Sequence, residues 1–499
     1  MNNESMHCDV VVLGAGFGGL GMGAQLKKAG INDFTILEKG PGLGGVWREN
    51  SYPGAACDTE AHLYCYSFFP HLRVSRMYAD RDELLGYLDR FAAHFELGGH
   101  LRFNSEVTSA TWDSDAALWR LQIAGSGEIT ARVFIPAWGQ LNAPSIPAIP
   151  GLAEFGGQVF HSARWDRSID LAGKKVISIG SAASAVQYVP EVAKVAGSLR
   201  VFQRSANWIM PRNQVIFSEQ QLDAFEEDPS TFEQSRENLH EFRENGFERT
   251  RLATDAQLAG VEQAMAHLAA QVPDEALRAR LTPDYEFGCK RILRTDDYYP
   301  ALMRENVDLV TASVDSFVRE GIRTRDGAVH EADVVIFGTG FDSQAFHGDL
   351  RIIGASGDDL KDRWADGAEA YLGITVDGFP NLFMIYGPNT NLNHNSIITM
   401  LEIQQSYILQ ALARLLPVPG SSVEVRGRVL ATYNANLQEE MEGSAFSADC
   451  SSWYKNANGK VINNWSGTVE EYRSLAGDFN TRDYVLSGAA LRAPENARS

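Results

Sequence analysis

Short apolar runs, each closed by glycine or by a charged residue, set the rhythm of the chain. Cys8 to Leu13 is a β-branched run suited to a buried parallel strand, and Gly14-Ala15-Gly16-Phe17-Gly18-Gly19 follows it at once. A second run, Phe34-Thr35-Ile36-Leu37, ends in Glu38. Further on, Lys174-Lys175-Val176-Ile177-Ser178-Ile179 is followed by Gly180-Ser181-Ala182-Ala183-Ser184-Ala185 and a helical stretch, VQYVPEVAKVAG; the next strand-like run starts at Leu199 and ends at Arg204. Between about residues 212 and 285 the pattern changes to acidic residues with apolar positions at helical spacing, which predicts a helical insert. Strand-like runs return at Val307–Val310 and Ala332–Phe337, and Gly338-Thr339-Gly340-Phe341-Asp342 makes a glycine turn that suits a crossing back to the first domain. The pattern predicts an α/β protein with two Rossmann-like dinucleotide-binding domains and a helical insert.

The first glycine cluster is G-x-G-x-x-G between a strand and a helix. Gly14 permits the tight turn, Gly16 lets the backbone approach a pyrophosphate, and Gly19 allows close packing of helix on strand. The helix N-terminus supplies N–H donors and the positive end of a dipole. Glu38 stands about 20 residues on, where an acid grips the ribose hydroxyls of an adenosine half. The second cluster reads G-x-A-x-x-A, with Gly180, Ser181 and Ser184 as candidate phosphate contacts. Arg204 ends the following strand, where an NAD-specific site would place an acid. An arginine there suits a 2′-phosphate, so the second nucleotide is expected to be NADP(H) and the first a tightly held flavin.

Charge and cysteines narrow the field. The formal charge of −20 argues against nucleic acid as a partner, and any anionic ligand has to be held by local features. No stretch approaches the roughly 18 uninterrupted apolar residues of a membrane span. The opening MNNESMHCD has no basic segment before an apolar run, so a soluble, cytoplasmic protein is expected. Cys8, Cys57, Cys65, Cys289 and Cys450 are odd in number and scattered without a C-x-x-C pair; neither a disulfide framework, a metal site nor a dithiol redox centre is expected.

Longer motifs carry a family resemblance. Phe155-Gly156-Gly157-Gln158-Val159-Phe160-His161-Ser162-Ala163-Arg164-Trp165-Asp166 fits F-x-G-x-x-x-H-x-x-x-W-[PD], the fingerprint of type I Baeyer–Villiger monooxygenases. Gly44-Gly45-Val46-Trp47 with Tyr52-Pro53-Gly54 and Asp58 is similar to that family's second pattern. The likeness extends through Gly288-Cys289-Lys290-Arg291, the G-T-G-F-D turn, Gly378-Phe379-Pro380-Asn381-Leu382-Phe383 and Ser452-Trp453-Tyr454. Three departures stand out: the alanines of the second glycine motif, Gly387-Pro388-Asn389-Thr390-Asn391, and Trp138 in place of a threonine. The stretch GPNTNLNHNSI resembles the branch acting on open-chain or aryl ketones and the broader flavin monooxygenases.

The resemblance implies FAD and NADPH as cofactors and insertion of one oxygen atom of O2 beside a ketone carbonyl, through a C4a-peroxyflavin, to give an ester or lactone. It implies an FAD domain from residues 1–145 and 338–499, with a mobile C-terminal loop. An NADP domain follows from 146–211 and 286–337, with the insert at 212–285. Arg291 resembles the essential active-site arginine and Asp58 its orienting carboxylate, while Lys290 and Arg204 resemble the 2′-phosphate ligands. His161 resembles a histidine that holds domain linkers, and Trp453 the tryptophan that closes over the nicotinamide nucleotide. Phe17, Gly45, Trp47, Tyr64 and Val107 complete the expected cofactor contacts. Trp47, Trp165 and Trp453 also read as core aromatics, and Lys290-Arg291 as a solvated pair opening a strand. The alternative function is a flavin monooxygenase that oxygenates nitrogen or sulfur, which would not need Arg291. A non-catalytic nucleotide sensor would keep the glycine motifs without the Asp58 and Arg291 pairing.

Overall fold

In this computed structural model, residues 6–343, 346 and 348–488 are described. The C-terminal stretch LSGAALRAPENARS, which reads from its sequence as a frayed tail, falls mostly outside them. The Cys8–Leu13 run lies in the strand Met6–Leu13, which pairs in parallel with Phe34–Leu37 on one side and with Gly127–Pro136 on the other. A glycine motif between such strands works because a parallel strand delivers its C-terminal end to the turn that opens the next helix. Helix Phe17–Lys28 starts there and packs against the long helix Ile397–Leu415. The full sheet has seven strands, in the order 351–353, 107–113, 118–123, 127–136, 6–13, 34–37, 101–102. The antiparallel segment Val107–Ile123 is thus spliced into a parallel core.

The distal chain returns to this sheet. The Phe383 N–H donates to the Phe134 carbonyl at 3.0 Å and the Ile385 N–H to Pro136 at 2.8 Å, so residues 381–385 run along the end of Gly127–Pro136. A single apolar core joins both ends of the chain, from Val10, Val11 and Val12 to Phe383, Ile385 and Tyr407.

A second sheet has five parallel strands in the order 307–310, 198–202, 175–179, 334–337, 158–161. Its core packs helix Ala185–Val195 against residues 298–302. The strand expected to reach Arg204 ends at Phe202, so Arg204 lies two residues past it, exposed, in a bend. The two crossings between the sheets run side by side: the Ser145 N–H donates to Gly340 and the Asp342 N–H to Ala143, each at 2.9 Å. The helical insert is confirmed, with helices Glu219–Glu227, Pro229–Asn245, Asp255–Gln271 and Glu275–Leu281. It leaves and rejoins the body through the parallel pair Ile209–Met210 and Leu293–Arg294. No helix among the described residues is long and apolar enough to cross a membrane.

One cysteine expectation is overturned. Cys289 and Cys450, 161 residues apart in sequence, form a disulfide, because the segment just after the insert and the C-terminal segment bring their Cα atoms to 6.4 Å. Spacing along the chain carries no signal of such a pairing. Cys8, Cys57 and Cys65 are free and buried, as expected of structural thiols.

Two buried histidines make stability depend on pH. His62 sits among Phe217, Phe225 and Phe232, and burial, with Arg236 nearby, pushes it down to about 4. Burial and then Arg90 push His71 down to about 3. Both are neutral in the folded chain, and the unfolded chain takes up protons below about 6.5. Their contribution is complete above pH 6.5 and is lost as pH falls toward those lower values, at up to about 1.4 kcal/mol per pH unit for each. Thermal melts between pH 7.5 and 4.5 are therefore expected to show falling stability, relieved in His62→Phe; a flat profile would contradict this.

Candidate active site

The glycine loop is shaped by two different constraints. Gly14 has φ +102°, and a Cβ there would sit 2.6 Å from the Ala137 carbonyl oxygen; one at Gly19 would collide with the Gly14 carbonyl. Those two glycines are demanded by the protein itself. Gly16 is different: its Cβ would meet only the Gly45 backbone, Cα at 3.6 Å and N at 3.9 Å, both ordinary contacts. Gly16 and Gly45 face each other as bare backbone, with the Gly44 N–H bound to the Ala15 carbonyl at 2.8 Å. Helix Phe17–Lys28 has Gly16 as its N-cap, no side-chain cap and no acid in its first turn, so its positive end is left for an external anion. Glu38, buried, accepts from the Ala15 N–H at 3.0 Å and the Gly40 N–H at 2.7 Å, which places an acid against the loop. These features fit the pyrophosphate and ribose of FAD.

Around this cradle, Phe17 packs edge-on to Tyr64 with centroids 5.2 Å apart, and the Trp47 indole N–H donates to the Tyr64 hydroxyl at 3.3 Å. Val107 is buried at the start of its strand, and the N–H of nearby Ser105 donates to the Glu38 carbonyl. The second cradle is built alike. Gly180 has φ +112° and its Cβ would lie 2.3 Å from the Gly338 carbonyl oxygen. Helix Ala185–Val195 again has no side-chain cap and no acid in its first turn, with Ser184 at the N-cap. Ser181 is buried, and its carbonyl accepts from Asn207 at 2.9 Å. Lys290 donates to Ser205 at 2.9 Å, beside Arg204, and lies 4.2 Å over the Tyr285 ring. Burial first, and the Arg204 charge second, hold the Lys290 ammonium below its usual value. Two cations crowded in this way are relieved by a bound anion, and these residues fit a nucleotide phosphate.

Asp58 and Arg291, 233 residues apart in sequence, meet as an ion pair. Arg291 Nε donates to Asp58 Oδ2 at 3.0 Å, and Nη2 to Oδ1 at 2.7 Å and Oδ2 at 2.8 Å. Burial alone would push the Asp58 carboxyl up; Arg291, then Arg243 and Arg294, hold it below the usual range. Arg291 stays a permanent cation, held up by Asp58 against burial. The two side chains remain 27% and 32% exposed, so the pair is reachable. Tyr386 and Tyr454 complete the surroundings: the Tyr386 hydroxyl donates to Asn391 at 2.7 Å and that of Tyr454 to Asn393 at 2.9 Å. Trp453 is half-buried on the same segment, its carbonyl accepting from Asn463 at 2.7 Å. His161 lies apart from this pair: it accepts from the Ala163 N–H and packs against Phe341 in the returning crossing.

Glu60, Arg243, Arg294 and Tyr386 carried no signal in the sequence, and Tyr454 stood out only as part of the Ser452-Trp453-Tyr454 motif. Glu60 stood two residues from Asp58, but nothing linked it to an arginine in a helical insert.

Among known proteins, the family model described as flavin-binding monooxygenase-like matches residues 7–218. A Baeyer–Villiger monooxygenase of Streptomyces coelicolor is 40% identical over 96% of this chain and 93% of its own length. One of Pseudomonas aeruginosa is 37% identical over 98% and 93%. A solved structure, OTEMO in complex with FAD and NADP, is similar with a TM-score of 0.87 at 26% identity, over 97% of this chain and 100% of that one.

Proposed function

The chain belongs to the Baeyer–Villiger monooxygenases, and on that premise we propose how its own residues carry the reaction. It is an FAD- and NADPH-dependent monooxygenase that acts on a ketone with O2. The bound pair supplies hydride from NADPH to the flavin and activation of O2 at the reduced flavin. The loop Gly14–Gly19, with Glu38, Gly45, Trp47, Tyr64 and Val107, holds FAD; Gly180, Ser181, Ser184, Arg204 and Lys290 hold NADPH, and Trp453 covers it. The domain boundaries follow: 1–145 and 338–499 for FAD, 146–211 and 286–337 for NADP, and 212–285 for the insert. Open-chain or aryl ketones are the proposed substrates and the cytoplasm the proposed location.

The observation that carries the mechanism is the geometry of Arg291. Asp58 occupies Nε and Nη2, while Nη1 makes no hydrogen bond among the described residues. Asp58 therefore fixes the guanidinium plane and leaves one end of a permanent cation free. That end binds the substrate oxygen as it gains negative charge, in a site where the donor is already oriented. Oxygenation of nitrogen or sulfur makes no such demand. Ester formation from a ketone, measured by mass spectrometry beside NADPH consumption, tests the reading.

Arg204→Ala is expected to raise the KM for NADPH while leaving that for NADH nearly unchanged, because NADH lacks the 2′-phosphate. Steady-state kinetics with both donors check this; equal use of both by the parent enzyme would contradict it.

A further inference from the structure

Behind the reachable Asp58 and Arg291 pair lies a second, buried one. Glu60 accepts from Arg243 Nε at 2.9 Å and Nη2 at 2.7 Å, and from the Tyr78 hydroxyl at 3.1 Å. The two side chains are only 6% and 10% exposed, against about a third for the pair in front. Arg243 Nη2 also reaches the backbone carbonyl of Asp58 at 3.5 Å. One guanidinium therefore holds the Asp58 segment at two points, a carboxylate side chain and a main-chain oxygen. A buried ion pair is weak support for stability, since desolvation offsets the attraction; its better-attested use is to fix a register.

The neighbouring residue grips the opposite side. Glu244 accepts from Asn395 Nδ2 at 2.7 Å, lies 3.3 Å from His394 Nε2, and takes the N–H groups of Val469 and Glu470 at 3.3 Å. Burial would raise its carboxyl, yet His394 and Asn395 hold it down at about 2. Asn393, adjacent to His394, accepts from Tyr454, the hydroxyl beside Arg291. Consecutive residues at the end of helix Pro229–Asn245 thus bind the two segments that flank the catalytic pair.

We propose that Arg243 is a positioning residue for the reaction: through Glu60 and the Asp58 carbonyl it sets the carboxylate that aims Arg291. The helical insert is then part of the active site's framework, with Glu244 bracing the opposite wall. This rests on the reading of Asp58 and Arg291 given above.

The test uses the flavin-loaded enzyme. Arg243→Lys keeps the charge but loses the planar fork that spans two acceptors. It is expected to lower kcat for ester formation by about 10–100-fold, the cost of a small misplacement, with KM for NADPH, flavin content and melting temperature close to the parent's. More of the NADPH should be consumed without ester, and amide hydrogen exchange should quicken in residues 55–63. In an Asp58→Ala background the same substitution should add nothing, since both act through one carboxylate. Glu60→Gln, which keeps the Tyr78 contact, should shift kcat and exchange in the same direction, and it decides the matter if Arg243→Lys does not fold. Parental kcat in both variants, or losses that simply add to that of Asp58→Ala, would overturn the proposal. If Asp58→Ala and Arg291→Ala themselves form ester at the parental rate, it is the reading of the catalytic pair that fails instead.

Discussion

Arg291→Ala is expected to retain FAD and to be reduced by NADPH, yet to form little or no ester. The three hydrogen bonds of the guanidinium all go to Asp58 and, among the described residues, none goes to either glycine loop, so both nucleotide cradles should survive its loss. What disappears is a permanent charge beside Asp58 whose Nη1 makes no hydrogen bond among the described residues. Deleting a single neutral oxyanion donor costs about 10²–10³ in rate, and a full charge should cost at least that. The substitution also leaves Asp58 facing Arg243 and Arg294 without its fork, which adds misplacement to loss of charge. Asp58→Ala should fall in the same direction but less far, because Arg291 keeps its charge and loses only its aim. Stopped-flow absorbance for the reductive step and ester quantification for the oxidative one separate the two effects. Near-parental ester formation by Arg291→Ala would place the oxygenating centre elsewhere.

Gly16→Val is expected to give a folded protein that emerges colourless. A Cβ at Gly16 meets only the Gly45 backbone at ordinary distances, so the protein has little reason to reject it. The branched side chain instead fills the gap between Gly16 and Gly45 through which the backbone would approach the pyrophosphate. Gly19→Ala makes the contrast: its Cβ collides with the Gly14 carbonyl, and its effect should appear as lost stability before lost flavin. Flavin absorbance per chain and a thermal melt distinguish these cases. A Gly16→Val protein with normal flavin content would show that the first nucleotide site has been misplaced.

Much of this was legible in the sequence because strand, glycine turn and helix are local patterns. The runs at Cys8–Leu13 and Phe34–Leu37 became strands, Val334–Phe337 did so within the run Ala332–Phe337, and the acid-rich stretch became helices, since burial periodicity follows directly from residue order. Asp58 and Arg291 were chosen by motif and meet in three hydrogen bonds, although 233 residues separate them. What stayed hidden depends on how the insert folds back. Arg243 lies in a stretch that reads as an acid-rich helical insert, and nothing in its spacing announces a buried partner in Glu60. The Cys289 and Cys450 bond escaped for the same reason, as two scattered thiols give no pattern until tertiary packing joins them. Arg204 shows a smaller error: the strand stops at Phe202, the Gln203 N–H still reaches the Val310 carbonyl of the neighbouring strand, and the arginine stands in the bend that follows, beside Lys290.

The most direct measurement supplies the purified enzyme with FAD, NADPH, isotopically heavy O2 and a panel of linear, cyclic and aryl ketones, and weighs the products by mass spectrometry. At least one ester or lactone carrying a single heavy oxygen atom is expected, formed in step with NADPH consumption. Consumption of NADPH with no ester from any ketone, while a thioether in the same panel is converted to its sulfoxide, would contradict it.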